Sequence, residues 1–302
     1  MLALFALGAA LLRAAASWYF FLKKSGLRRR LQPCRARAAH YRYGAAWLCA
    51  WFDASGLHPA PGWSARISVL AALSARFDDL RERAPHDPAP TPDAFGRSAD
   101  SEGLSGELLA SLRRSLPPAL KADFETTLQD LFDIEAEALR ADPGDGLALQ
   151  RRADRKGALA VRLYALAYVG RSVAAEPTAS FGAFTQRCDD ILDVWFDRRD
   201  GIVTPAVFFL EKENPQALVY AWEEAWMRLT AETMRRVGGG GRRAMGIAAL
   251  MAAVTRLALR RYLRAGRVQP WSERSAMVLD MSAPGNLISA LGQLWRISLP
   301  DY

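Results

Sequence analysis

The chain has 302 residues, half of them hydrophobic, and a formal charge of +8. That is ample for a substantial core, in one large domain or two small ones. Three cysteines (Cys34, Cys49 and Cys188) without metal-ligand spacing and three unclustered histidines (His40, His58 and His86) exclude a zinc site and a histidine-based nucleophile triad. The odd cysteine count suits a reduced, cytoplasmic setting. The basic balance suits an anionic ligand. Nucleic acid is set aside, because the arginines are dispersed and no zinc-finger, RNP or helix-turn-helix signature is present.

Leu2 to Leu22 is largely apolar, interrupted by Arg13 and followed by Lys23, Lys24, Arg28, Arg29 and Arg30. No charged region precedes the apolar stretch, so a secretory signal fits poorly. The length is near the minimum for a membrane span, but Arg13 near its centre would cost about 2.5–3.5 kcal/mol on insertion. A packing helix is the leading expectation for residues 1–28, with peripheral membrane-surface contact and a membrane anchor as the alternatives.

Helical signals dominate the rest, and strand-like alternation is hard to find. The pattern predicts helices over 36–56, ending near Gly56 with Pro59 and Pro61 beyond, and over 63–83. Residues 84–104 are rich in Pro, Gly, Asp and Ser and read as a loop. Helices are predicted over 105–116, 118–141, 147–174 and 179–197, with a turn at Asp142–Gly146. Gly201 to Pro205 breaks the pattern. Residues 206–236 resume it, Gly238 to Gly241 reads as a hinge, and 242–265 and 272–297 complete the chain. With no repeat and no clear boundary, residues 29–302 read as one all-α domain of many helices.

Two acidic clusters stand out, Asp78-Asp79-Leu80-Arg81-Glu82 and Asp189-Asp190-Ile191-Leu192-Asp193. Each has carboxylates at i, i+1 and i+4, and on a helix the i and i+4 side chains share a face about 6 Å apart along the axis. Opposed across a helical bundle, two such faces would make an oxygen-rich cage suited to Mg²⁺, which takes carboxylate oxygens and keeps waters or phosphates in its other positions. The first cluster is also compatible with a solvated helix end, tied by ion pairs to Arg76, Arg81 and Arg83. In the second, Asp189, Asp193 and Asp197 recur every four residues beside Ile191, Leu192, Val194, Trp195 and Phe196. Like charges at that spacing destabilise a helix unless something neutralises them. A solvent-facing acidic stripe is the alternative there.

Around these clusters the chain resembles the trans-isoprenoid synthase superfamily, particularly polyprenyl diphosphate synthases and the class I terpene synthases that share their fold. Residues 129–137, from Gln129 through Asp133, look like the family's Gln-x-x-Asp helix. Arg155-Lys156-Gly157-Ala158-Leu159 looks like its Lys-Thr-Gly-Ala-Leu segment without the threonine. Cys188 to Val194 resembles the second aspartate-rich motif, residues 200–207 resemble the Gly-Lys-x-Thr-x-Pro stretch after it, and Arg29-Arg30-Leu31-Gln32-Pro33 is similar to Lys-Arg-Leu-Arg-Pro. The matches are in order and span roughly residues 29–210.

The resemblance implies a single large helical bundle with a central apolar cavity, and an enzyme that ionises an allylic prenyl diphosphate with a cluster of Mg²⁺ ions. Asp78, Asp79 and Glu82 would hold metal from one side, and Asp189, Asp193 and Asp190 or Asp197 from the other. Lys156, Arg152, Arg155 and Arg235 would grip the diphosphate. Leu73, Ser74, Phe77, Gln129, Asp133, Tyr164, Tyr168, Phe184, Trp195 and Phe196 would line the pocket. Aromatic faces there stabilise a cation by about 0.5–2 kcal/mol each; ordinary core packing is the alternative for any one of them, and a surface position with a packed stem is the alternative for Lys156. Two departures tilt the reading. An arginine and a lysine of the elongating enzymes are replaced by Gln32 and Ile202, and the spacing between the acidic motifs is short. The sequence thus favours a class I terpene synthase that loses diphosphate and cyclises or quenches the cation. A chain-elongating synthase using isopentenyl diphosphate and a non-catalytic helical binding module are the alternatives. Relatives of this kind are often dimers, so a homodimer is compatible with the resemblance.

Overall fold

The fold is given by a computed structural model, which describes residues 35–83, 91, 92, 95, 103–138, 144–212, 214–237, 241–265 and 289. The apolar segment 2–22, the motif at 29–33 with Gln32, most of the loop 84–104, residues 238–240 and, apart from Ser289, the helix expected over 272–297 lie outside the described residues, as does the side chain of Glu82.

Among the described residues the chain is all-α, with no strand. Ten helices run in order: α1 Arg35–Ala54, α2 Trp63–Arg83, α3 Leu104–Ser115, α4 Pro118–Ala138, α5 Gly146–Val169, α6 Ala175–Leu192, α7 Val194–Arg199, α8 Pro205–Glu211, α9 Pro215–Val237 and α10 Gly241–Ala265. They fall into two compact units, one within Met1–Arg140 and Leu159–Ala175, the other within Ala141–Ala158 and Glu176–Tyr302. Helix α5 belongs to the second unit as far as Ala158 and to the first from Leu159 onward. No helix of the described residues is long and apolar enough to cross a membrane.

In the first unit α2 packs on α1 and on α3. Helix α2 is buried continuously from Arg66 to Leu73, as expected of a helix enclosed on all sides. Helix α3 buries Leu104, Leu108, Leu109 and Leu112, the i, i+4, i+8 stripe of an amphipathic helix. Trp51, Phe52, Phe124 and Tyr168 are fully buried. Tyr168 stacks edge-on against Trp63 at 4.9 Å and donates a 2.7 Å hydrogen bond to Asp53.

The second unit pairs α9 with α10 and sets α8 against both α7 and α9. Its core is built on Phe181, Phe184, Cys188, Ile191, Val194, Trp222 and Tyr262. Burial pushes the Cys188 thiol up to about 12, so it acts as a packed apolar group.

Among the described residues, three departures from the sequence expectation exceed two residues, the first two for local reasons. Helix α5 ends at Val169 rather than at 174, because Gly170 takes the left-handed conformation (φ 67°) that terminates helices. The stretch expected as one helix over 206–236 is two. Asn214 caps α9 by accepting from the Ala217 amide at 3.1 Å, and Pro215 occupies the first helical position, where a missing N–H costs nothing. The helix expected over 179–197 begins at Ala175 and breaks at Asp193, so the second acidic cluster straddles α6 and α7.

Candidate functional site

The first cluster sits on the last turns of α2. Asp78 and Asp79 are half-buried, and both have protein donors. Asp78 accepts a short hydrogen bond from the Tyr41 hydroxyl on α1. Asp79 pairs with Arg76 at 3.1 Å across i,i+3, one of the ion pairs its spacing allows. Nearby, the Ser74 hydroxyl lies 3.3 Å from that of buried Tyr164. Burial drives the Tyr164 phenol above its ordinary range, and the Cys49 thiol and the Asp78 charge add to the rise. Asp78, Ser74 and Tyr164 are therefore brought into one neighbourhood of the first unit.

The other candidates in that unit are placed as follows. Leu73 is buried. Phe77 forms an aromatic triangle with Phe95 and Phe132 at centroid distances of 5.0–5.8 Å. Tyr168 belongs to the Trp63 cluster described above. Gln129 and Asp133 are exposed and bonded to each other at 2.8 Å.

The second cluster has a different character. Asp189 and Asp190 are adjacent, so on a helix they point about 100° apart. Asp189 is exposed, whereas Asp190 is only 6% exposed. Asp193 and Asp197 are half-buried. The break at Asp193 leaves the register intact, because the Asp193 amide still donates to the Asp189 carbonyl and the Asp197 amide to the Asp193 carbonyl, both at 2.9 Å. Seven residues, or two turns, then bring Asp197 back toward the face of Asp190.

Asp190 Oδ1 accepts from Gln186 at 2.8 Å, while Oδ2 is buried without a hydrogen-bond partner. Burial is the main cause that lifts Asp190 to about 7. The Asp189 charge adds to it, and the Gln186 bond and the Lys156 ammonium oppose it. Asp197 is lifted to about 8, first by burial and then by Asp190, Asp193 and Asp189, again opposed by Lys156. Lys156 on α5 is thus in electrostatic reach of both carboxyls. An unpaired, buried carboxylate is costly in an apolar setting, and this pair holds protons near neutrality unless a cation joins it.

Of the proposed anion-binding arginines, Arg152 is half-buried on α5 and Arg155 is exposed on it. Arg235 is exposed on α9, its Nε donating to the Ala231 carbonyl at 3.1 Å. Trp195 and Phe196 stack edge to face at 5.3 Å, with the Arg199 guanidinium over both rings at 5.6 and 5.5 Å. Phe184 is core, packed on Trp226 and Trp222. Among the described residues no group of three or more His, Cys, Asp or Glu side chains is gathered closely enough to hold a metal ion.

Several residues that shape the cluster were not singled out from the sequence. Arg187, 5% exposed, makes a forked ion pair to Asp154 on α5 at 2.6 and 2.7 Å and also donates to the Ala221 carbonyl on α9. Tyr262 on α10 donates to the Ile191 carbonyl at 2.7 Å, beside the helix break. Gln186 stands one turn before Asp190, and that i−4 spacing was a signal available in the sequence. Arg187 and Tyr262 act through tertiary contacts that no local pattern carries. Comparison with protein-family models, with curated proteins and with solved structures gives no match.

Proposed function

We propose that this chain is a Mg²⁺-dependent class I terpene synthase, built as a helical bundle of the isoprenoid synthase type, that ionises an allylic prenyl diphosphate. The observation that carries the reading is Asp190. Its buried carboxyl has one oxygen without a protein partner, in a helix segment where Asp193 and Asp197 follow at one and two turns and Lys156 supplies a single positive charge. Negative charge packed this way fits a divalent cation, and the donor set is the hard oxygen set Mg²⁺ prefers.

When bound, Mg²⁺ would neutralise the oxygens of a departing diphosphate. Asp190 would be its ligand on the α6–α7 segment together with at most one of Asp193 and Asp197, since no three carboxyls there are gathered closely enough to share an ion, and waters and phosphate oxygens would fill the other positions. Lys156 balances part of the carboxylate charge and offers donors to a phosphate oxygen. Trp195 and Phe196 present aromatic faces next to the cluster, suited to a neighbouring cation and already used that way by Arg199. Asp78, Asp79 and Glu82 enter the reading on their sequence motif.

The test is a product assay with geranyl, farnesyl and geranylgeranyl diphosphates and Mg²⁺, with and without isopentenyl diphosphate. Hydrocarbon or alcohol products without isopentenyl diphosphate are expected. Longer diphosphates formed only when it is present would make the chain an elongating synthase. No product, together with no stabilisation by Mg²⁺ and pyrophosphate in a thermal shift, would leave a non-catalytic helical module.

A further inference from the structure

Helices α5 and α6 touch backbone to backbone within the second unit. A Cβ placed on Gly157 would lie 2.2 Å from the Gly182 carbonyl oxygen, and one on Gly182 would lie 2.3 Å from the Gly157 carbonyl oxygen. Neither site has room for any side chain, and what blocks it is backbone, which cannot swing aside. One residue before Gly157 stands Lys156. One and two turns beyond Gly182 on α6 stand Gln186 and Asp190. The same added Cβ on Gly157 would also meet the Cβ of Gln186 at 2.7 Å, and Gln186 is the hydrogen-bond donor to Asp190. The crossing thus acts directly on the group that orients the buried carboxyl.

A second contact fixes the rotation of α6 about this pivot. The Arg187 guanidinium forks onto both oxygens of Asp154, at 2.7 Å from Nε to Oδ1 and 2.6 Å from Nη2 to Oδ2. A two-point guanidinium–carboxylate contact constrains angle as well as distance. Asp154 is itself steadied by Gln150 at 3.1 Å. The glycine pair sets how closely the helices approach, and the forked pair sets their angular register.

We propose that Gly157, Gly182 and Arg187 are positioning residues for the Asp190 carboxylate and the Asp197 carboxyl two turns on, holding α6 at the one separation and rotation that keeps Gln186 engaged with Asp190. The inference rests on the metal-binding reading above and deepens it. It assigns the geometry of that site to a glycine crossing and an ion pair that touch neither metal nor substrate. Replacing either glycine by alanine must drive the helices apart, which displaces Gln186 from Asp190.

The experiment titrates Mn²⁺ into the full chain, following free Mn²⁺ by electron paramagnetic resonance, for the wild type and for Gly157→Ala, Gly182→Ala and Arg187→Lys. It records unfolding temperatures and the Mg²⁺ dependence of prenyl diphosphate turnover alongside. The wild type is expected to bind. The glycine variants are expected to bind Mn²⁺ at least tenfold more weakly and Arg187→Lys about threefold more weakly, with turnover recovering at raised Mg²⁺, a rescue that a folding defect would not permit. A folded glycine variant with wild-type Mn²⁺ affinity overturns the proposal. Should neither glycine variant fold, unchanged affinity in Arg187→Lys overturns it. A wild type that binds no Mn²⁺ sinks the metal-binding reading itself, which separates the two failures.

Discussion

The Tyr262 hydroxyl donates a 2.7 Å hydrogen bond to the Ile191 carbonyl, two residues ahead of the point where α6 breaks at Asp193. Burial raises the phenol above its ordinary range, and Asp193 and Asp197 add to the rise, so it stays neutral and donating. Tyr262→Phe removes one oxygen from a ring that is 1% exposed and strands a buried carbonyl. The expected loss is about 1–2 kcal/mol of unfolding free energy in urea. Faster amide exchange across residues 192–197 should accompany it, and unchanged exchange there would mean that the break is held by something else.

The carboxyls of Asp190 and Asp197 give the apo protein a specific pH dependence. Their ordinary value is 3.8, and in the fold they stand at about 7 and about 8. Between those limits the folded state holds more protons than the unfolded one, so stability falls as pH rises. The contribution is intact below about pH 3.8, is lost through the window up to about pH 8, and is flat above it. An Asp190→Asn/Asp197→Asn variant has no such loss. Its melting temperature relative to the wild type should therefore climb from pH 5 to pH 8 in metal-free buffer. A difference that stays constant with pH would show that neither carboxyl is raised.

How much of this was legible in the sequence depends on where each cause sits. Helix α2 was read from its apolar run and charged end at the bounds it has, Trp63–Arg83. The start of α9 at Pro215 was legible too, since Asn-Pro is a helix-opening signal, but the apolar pattern on both sides overrode it. The left-handed turn at Gly170 competed with a continuing run of alanine and valine. Asp193 is another matter. Its neighbours include no Gly or Pro to signal a stop, and the break coincides with a hydroxyl that arrives from a residue far along the chain. The acidic cluster was visible, but which of two adjacent aspartates turns inward was not, because periodicity alone leaves the phase of a helix free by one residue. Burial of Asp190 and exposure of Asp189 follow from how α6 packs, through Gly182 and Arg187.

Arg187 and Asp154 should behave as one unit. Arg187→Met keeps the length and apolar bulk of the side chain but leaves the Asp154 carboxylate with Gln150 as its remaining hydrogen-bond donor of those described above. Removing one member of a buried pair costs about 3–5 kcal/mol, mostly from the charge left behind. Asp154 is more exposed than Arg187, so the lower end is expected. The double variant Arg187→Met/Asp154→Leu removes both charges and should recover most of the loss. Urea unfolding of the four proteins in the cycle measures the coupling, and simple additivity would show the pair to be energetically idle.

Asp189→Ala and Asp78→Ala are expected to abolish turnover of a prenyl diphosphate while leaving the far-ultraviolet circular dichroism unchanged. The reasons differ. Asp189 is exposed on α6, so its loss removes a carboxylate from the cluster edge. Its removal also relieves part of the repulsion that raises Asp190 and Asp197, and the fold should gain slightly in stability as activity disappears. Asp78 is bonded to Tyr41, so Asp78→Ala frees a hydroxyl and should cost about 1 kcal/mol in addition to turnover. Opposite signs in stability with the same loss of activity would separate a chemical role from a structural one at each position. Normal turnover in both variants would remove the acidic motifs from the chemistry altogether.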